Sequence, residues 1–204
     1  MPRVYRLGAR KASAEETRTR VLAAARERLA SGADPRGFNI DAIARAADVA
    51  RMTVYYQFGT KSGLIQALFD DLASRGGMQE LAAVFQRPDP REALDEFIDV
   101  FCRFWASDQL LFRRLRALAT LDPELERELN VREQAGRHGA RLLLQRLAAG
   151  TGKPRAVDLD RASAVVFTLT GFHTFDTLQS QLGAETHEIS AILRKLAHCA
   201  LDQF

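Results

Sequence analysis

The stretch Asn39–Lys61, NIDAIARAADVARMTVYYQFGTK, constrains this chain more than any other. Ile40, Ile43, Ala44 and Ala47 recur at i, i+3, i+4 and i+7, the apolar stripe of one short helix. Asn39 stands just before the stripe, where a helix takes its N-cap. Ala47-Asp48-Val49 interrupts the period, and Asp tolerates the left-handed backbone of a tight turn better than most non-glycine residues. Ala50 to Phe58 then reads as a second short helix with Val54 and Phe58 inward. Its other faces carry Arg51, Thr53, Tyr55, Tyr56 and Gln57. A helix so rich in exposed hydrogen-bonding groups suits contact with bases and phosphates better than a core.

The remaining chain reads as helices and short breaks, with about nine helices in all and an all-α fold. Residues 1–12 carry Arg3, Arg6, Arg10 and Lys11 without an acid, a flexible basic arm that either runs along DNA or only aids solubility. Ser13 with Glu16 three residues later is a capping-box pattern, opening a first helix with Leu22, Ala25 and Leu29 inward. Gly32 stops it, and a turn over 33–37 holds Pro35. Leu22, Ala25, Leu29, Phe38, Ile43, Ala47, Val54 and Phe58 form a plausible small core. Thr60 caps a fourth helix, which Gly76-Gly77 ends or kinks. Residues 78–90 are partly helical. Further helices follow over Arg91–Ser107, over Gln109–Leu121 with Asp108 as cap, and from Asp122-Pro123 to Ala149. Gly150 to Pro154 is a break. The last two helices span 159–182 and 185–201. The first of them is apolar around much of its circumference, which calls for burial on more than one side, as at a subunit interface.

Composition narrows the function. Residues 1–75 hold 13 Lys and Arg against 8 Asp and Glu, a net of +5, while residues 76–204 hold 16 against 18, a net of −2. An anionic partner is therefore expected for the N-terminal third only. No apolar run approaches the ~20 residues of a membrane span. The basic N-terminus lacks the apolar core of a secretory signal, so a cytoplasmic protein is expected. Cys102 and Cys199 have no metal-ligand spacing and read as small core residues in a reducing compartment. No metal and no cofactor is expected, and no membrane partner.

Three segments carry a family resemblance: Gly37-Phe38-Asn39-Ile40, Ile43-Ala44-Arg45-Ala46-Ala47-Asp48-Val49, and Thr53-Val54-Tyr55-Tyr56-Gln57-Phe58-Gly59-Thr60-Lys61-Ser62-Gly63-Leu64. With these segments the chain resembles the TetR (tetracycline repressor) family of bacterial transcriptional regulators over about Thr17 to Leu72. The resemblance implies a helix-turn-helix DNA-binding domain over 13–60 and a regulatory, ligand-binding and dimerisation domain over 61–204. It implies that Ala50, Arg51, Met52, Thr53, Tyr55, Tyr56 and Gln57 line the DNA-reading face, with Asn39 and Lys61 on phosphate. Arg51 suits guanine, Gln57 adenine or phosphate, and Thr53 a thymine methyl. Tyr55 also fits core packing, and Arg51 and Lys61 also fit solvated charge. The chain departs from the family pattern at Asp48, where Gly is frequent, at Gln57, where His is common, and at Met52, where residues are often small.

The resemblance further implies a homodimer through 159–182 and 185–201, binding double-stranded DNA at a near-palindromic site whose half-sites lie about one turn, ~34 Å, apart. It implies a small-molecule effector of unknown identity. Phe97, Phe101, Phe104, Trp105, Phe112, Phe167, Phe172 and Phe175 are candidate pocket walls, or plain core. Arg113, Arg116, His173 and Asp176 are candidate polar handles. His173 and Asp176 lack a third ligand or a nucleophile, which argues against a metal or catalytic pair. The expected function is a ligand-responsive regulator, more readily a repressor than an activator, and not an enzyme. The competing readings are a helical small-molecule carrier or enzyme, and a nonspecific architectural DNA binder.

Overall fold

The computed structural model describes residues 3–31, 38–149 and 156–202. Among them are eleven α-helices and no strand. They are α1 (Arg3–Ala30), α2 (Ile40–Ala46), α3 (Arg51–Phe58), α4 (Lys61–Arg75), α5 (Leu81–Val84), α6 (Pro90–Ser107), α7 (Gln109–Ala119), α8 (Pro123–Ala149), α9 (Ala156–Leu169), α10 (Phe172–Leu182) and α11 (Thr186–Leu201). The expected stop at Gly32, the turn over 33–37 and the break over 150–154 lie outside the described residues, as do the first two residues of the expected arm.

The fold is all-α as expected, but the count of about nine helices is corrected to eleven, for two local reasons. Residues 78–90 hold a genuine helical turn, α5, after a 3-10 turn at Met78–Glu80, and Val84 anchors it by complete burial. The apolar stretch 159–182 is two helices, not one. Gly171 is extended (φ −72°, ψ 150°) and breaks the ladder between α9 and α10. The carbonyls freed there find side-chain donors: Trp105 Nε1 donates to the Thr170 carbonyl at 2.8 Å, and Thr174 Oγ1 to the Thr168 carbonyl at 2.6 Å. A broken helix whose carbonyls are satisfied carries little penalty. The first helix also differs. It runs unbroken from Arg3, through residues read as an arm, so Ser13 lies inside it and its carbonyl accepts from the Thr17 hydroxyl at 2.8 Å.

The caps elsewhere fall as their residue types dictate. Asn39 Oδ1 accepts from the Ala42 amide at 2.7 Å, Asp89 Oδ1 from Arg91 at 2.7 Å, and Asp108 Oδ1 from Leu111 at 3.3 Å. Pro90 and Pro123 open α6 and α8, where a missing N–H costs nothing.

The chain divides into two compact units: Met1–Leu72 with Arg113–Glu128, and Ala73–Phe112 with Leu129–Phe204. The helices α4, α7 and α8 each contribute residues to both. In the first unit the buried residues include Val21, Leu22, Ala25 and Leu29 of α1, Phe38, Ile40, Ile43 and Ala44 of α2 and its entry, Ala47, Val54 of α3, Leu64, Ile65, Leu68, Phe69 and Leu72 of α4, and Leu115 and Leu125. Each large aliphatic side chain so buried stabilises the fold by about 1.5–3 kcal/mol. Phe58, expected in this core, is only half-buried; the Arg18 guanidinium covers its ring at 4.8 Å from the centroid. In the second unit, α6 gives Leu94, Phe97, Ile98 and Phe101 to a core shared with α8 (Leu143), α9 (Val166), α10 (Phe175) and α11 (Ile189, Leu193). Cys102 is buried there, and burial pushes its thiol up to about 12. Cys199, also read as a core residue, is exposed, because it faces away from the line Ile189, Leu193 and Ala197 on α11.

At the head of α4, Gly63 has no room for a side chain. A Cβ there would stand well inside contact distance of the Phe58 carbonyl oxygen. At Gly136 in α8 the nearest atom to a new Cβ is Phe101 Cζ at an ordinary 3.6 Å. Gly63→Ala is expected to cost about 2 kcal/mol or more through backbone displacement. Gly136→Ala should be neutral or stabilising, by up to about 1 kcal/mol from helix propensity. Urea titration followed by circular dichroism compares the two, and equal midpoints would contradict the close approach at Gly63.

Candidate nucleic-acid interface

Two helices and a three-residue turn build the site. The α2 ladder ends with the Ala47 amide on the Ile43 carbonyl at 2.9 Å. Asp48 then takes φ 52°, the left-handed conformation expected of it, and Val49 returns its amide to the Ala44 carbonyl at 3.0 Å. Ala50 caps α3 through its backbone alone, with the Thr53 amide on its carbonyl at 2.9 Å. Among the residues of α3 only Val54 is buried. Its rotation is thereby set, and Met52 and Tyr56 face outward with 73% and 89% exposure. Arg51 and Ala50 are exposed beside them, and Thr53 and Tyr55 are half-buried at the flanks.

Arg51 is held from two sides. Its Nη1 lies 3.2 Å from both carboxylate oxygens of Asp41, and its Nη2 donates to the Tyr55 hydroxyl at 3.2 Å. The guanidinium carbon also lies 5.5 Å from the Tyr55 ring centroid. The Tyr55 hydrogen bond first, and Asp41 second, raise the Arg51 pKa above its already high value. Sequence reasoning missed Asp41. It sits ten residues before Arg51, and only the turn geometry brings the two together.

Three expected phosphate or base contacts are engaged elsewhere. Asn39, an exposed residue, spends its side-chain oxygen on the α2 cap. Gln57 turns toward α1, where Nε2 donates to the Ala14 carbonyl at 3.2 Å. Lys61 pairs with Asp122 and lies 3.8 Å from Glu124. The same Asp122 carboxylate caps α8, with Oδ1 accepting from Glu124 at 3.1 Å and Leu125 at 3.3 Å. Burial opposes its charge, but the Lys61 hydrogen bond and the two amides outweigh that and hold its carboxyl below the ordinary value. Next along α4, Ser62 and, one turn beyond it, Gln66 both donate to Glu128 Oε1 at 3.0 Å.

The effector-site candidates separate into two groups. Phe97, Phe101, Trp105, Phe104, Phe112 and Phe172 pack on one another in the second unit, with ring centroids 4.6–6.1 Å apart along the chain of contacts. Asp176 joins them there, accepting from Gln109 Nε2 at 2.7 Å. Arg113 and Arg116 belong to the first unit, and His173 is exposed on α10. Among the described residues no cluster of three His, Cys, Asp or Glu could hold a metal ion, and no helix is long and apolar enough to cross a membrane.

The helix pair, its tight turn and the outward face of α3 form a helix-turn-helix. Residues 21–68 match the family model for bacterial regulatory proteins of the tetR family. Solved structures share the fold across both units. Salmonella enterica GusR is 20% identical over 92% of this chain and 96% of its own, with a TM-score of 0.66. Bacillus subtilis FadR, solved with stearoyl-CoA, is 18% identical over 91% and 98%, also at 0.66. A Saccharomonospora viridis protein solved with choline is 19% identical over 90% and 96%, at 0.61. None of the curated proteins matches the chain.

The lowered Asp122 pKa makes an acid-side prediction. A carboxyl whose folded pKa lies below its unfolded one stabilises fully above the unfolded value, and that contribution is lost as pH falls through the folded one. Asp122→Asn should lower the melting temperature by ~2–4 °C at pH 7, corresponding to about 1 kcal/mol for a partly exposed pair. The gap to the wild type should close as pH drops below about 4. A gap independent of pH would show that the carboxylate charge is immaterial.

Proposed function

We propose that the protein is a ligand-responsive, sequence-specific transcriptional repressor that binds a near-palindromic operator as a homodimer. The observation carrying this reading is the outward face of α3, where Arg51, Met52 and Tyr56 stand exposed beside Ala50 while Val54 alone is buried. These side chains, with Thr53 and Tyr55 at the edges, are proposed to enter the major groove. Asn39, through its side-chain NH2, and Tyr56 are proposed to meet phosphate. Gln57 and Lys61 reach DNA only by leaving Ala14 and Asp122. Selection from a pool of random-sequence DNA duplexes tests the reading: a motif of two inverted half-sites is expected, and recovery of no enriched motif would refute it. Arg51→Ala should alter base preference at one position per half-site, by about 1–3 kcal/mol. Tyr56→Phe should weaken binding to all duplexes together.

Dimerisation is assigned to α9–α10 and α11, the stretches 159–182 and 185–201. Its support is the outer side of these helices, where Leu182 and Leu196 are 55% and 46% exposed. Leu196→Glu should shift the protein from dimer to monomer in sedimentation equilibrium while leaving its helical circular dichroism intact. An unchanged mass would move the interface elsewhere. The second unit is the proposed effector domain. Its support is the fold shared with two proteins solved with small molecules, stearoyl-CoA in one and choline in the other. The aromatic cluster around Trp105 is the proposed lining, and α4, which passes from one unit to the other, is the proposed route by which an effector alters the reading helices.

A further inference from the structure

Arg51 is the only cation on α3, and it does not project freely. Asp41, from the first turn of α2, and Tyr55, one turn along α3, grip opposite ends of its guanidinium. We propose that Asp41 and Tyr55 are positioning residues for DNA readout: they hold the Arg51 fork in one orientation so that it discriminates guanine from the other bases. The proposal rests on the reading of α3 as the base-reading helix.

The argument is one of donor arithmetic and of opposing charges. A guanidinium has five N–H donors in a rigid plane. Asp41 engages Nη1 and Tyr55 engages Nη2, one donor from each. One N–H remains on each terminal nitrogen, enough donors for the O6 and N7 acceptors of guanine. An unrestrained arginine has to lose its side-chain freedom on binding, and it can swing to phosphate with equal ease. Gripped at both ends, it keeps its plane and is drawn away from phosphate. Tyr55 adds its ring beneath the guanidinium, 5.5 Å away, which limits tilting.

The grip also has a cost, and the cost makes the proposal testable. Asp41 is half-exposed and places a negative charge on the side of the protein that meets DNA. It therefore lowers affinity for every duplex, whatever its sequence. A residue that only stabilised α2 through the helix dipole would repel phosphate in the same way but would leave discrimination unchanged when removed. Removing Asp41 should thus raise affinity for nonspecific DNA and at the same time reduce discrimination.

The experiment uses the full chain, the best duplex enriched from a random pool, its single-base variants, and a scrambled duplex. Asp41→Asn keeps the side-chain shape and a capping oxygen, and thermal melting checks that it folds. Discrimination at the position read by Arg51 should fall roughly five- to tenfold. Affinity for the scrambled duplex should rise about two- to fivefold at low salt, the gain shrinking as salt is added. Tyr55→Phe, which keeps the ring and removes only the hydroxyl, should reduce discrimination without the nonspecific gain. In an Arg51→Ala background Asp41→Asn should change discrimination no further. If Arg51→Ala alters base preference and neither Asp41→Asn nor Tyr55→Phe does, the grip is overturned while the reader stands. Additive effects of Asp41→Asn and Arg51→Ala on discrimination would also overturn it. A wild-type protein that enriches no motif would instead remove the reading on which the proposal rests.

Discussion

The burial of one valine sets the geometry of the interface. The eight-residue helix α3 has Val54 as its single buried side chain. At about 100° per residue, a helix pinned inward at Val54 must turn positions two before and two after it almost directly outward. Those positions are Met52 and Tyr56, the two most exposed large side chains with apolar surface among the described residues. Positions one before and one after stand at the sides, where Thr53 and Tyr55 are half-buried. A helix this short has little stability of its own, so packing rather than propensity keeps it formed. The turn through Asp48 fixes where it starts, and the Val54 contact fixes its rotation. Everything that α3 presents follows from these two restraints.

A second restraint acts at the start of α4. Lys61 opens that helix, and no acid lies in the first turn. A cation at a helix N-terminus faces the positive end of the helix dipole. Asp122, just before α8, and Glu124 in its first turn offset this, and Asp122 caps α8 with its other oxygen. One carboxylate thus serves two helices, which explains why its charged form is favoured despite partial burial. Ser62 and Gln66 extend the link to Glu128. The helix that follows the reader is therefore fastened along one side to α8, and both ends of that fastening lie in one compact unit.

Much of this was legible from periodicity and caps. The α2 stripe, the left-handed Asp48, the Asn39, Asp108 and Asp122 caps and the inward Val54 are all local patterns, each decided by a few neighbouring residues. The failures are of another kind. The break at Gly171 depends on Trp105, 66 positions away, supplying a donor to a freed carbonyl. Because apolar side chains continue across it, the hydrophobic pattern shows no gap. Lys61, Gln57 and Arg51 were legible as residue types but not as engaged side chains, since Asp122, Ala14 and Asp41 reach them only through tertiary folding. The exposure of Cys199 and His173 likewise depends on which of several apolar faces a helix turns inward, a choice that composition leaves open.

The same pairing separates two tasks that a DNA-binding surface must perform. Nonspecific affinity comes mainly from cations that displace counterions at phosphates, whereas discrimination comes from groups that meet base edges. On α3 the only cation already has an anion beside it. The helix therefore contributes little net charge, and its outward side chains offer hydrogen bonds and apolar surface instead. The positive balance of residues 1–75 has to act from other elements, and Arg20 on α1 and Arg45 on α2 are exposed cations of that segment. A reader helix that is nearly neutral loses little when it slides across a wrong sequence and gains only where its donors match. In the proposed function, charge on neighbouring elements brings DNA close, and the face set by Val54 chooses among sequences.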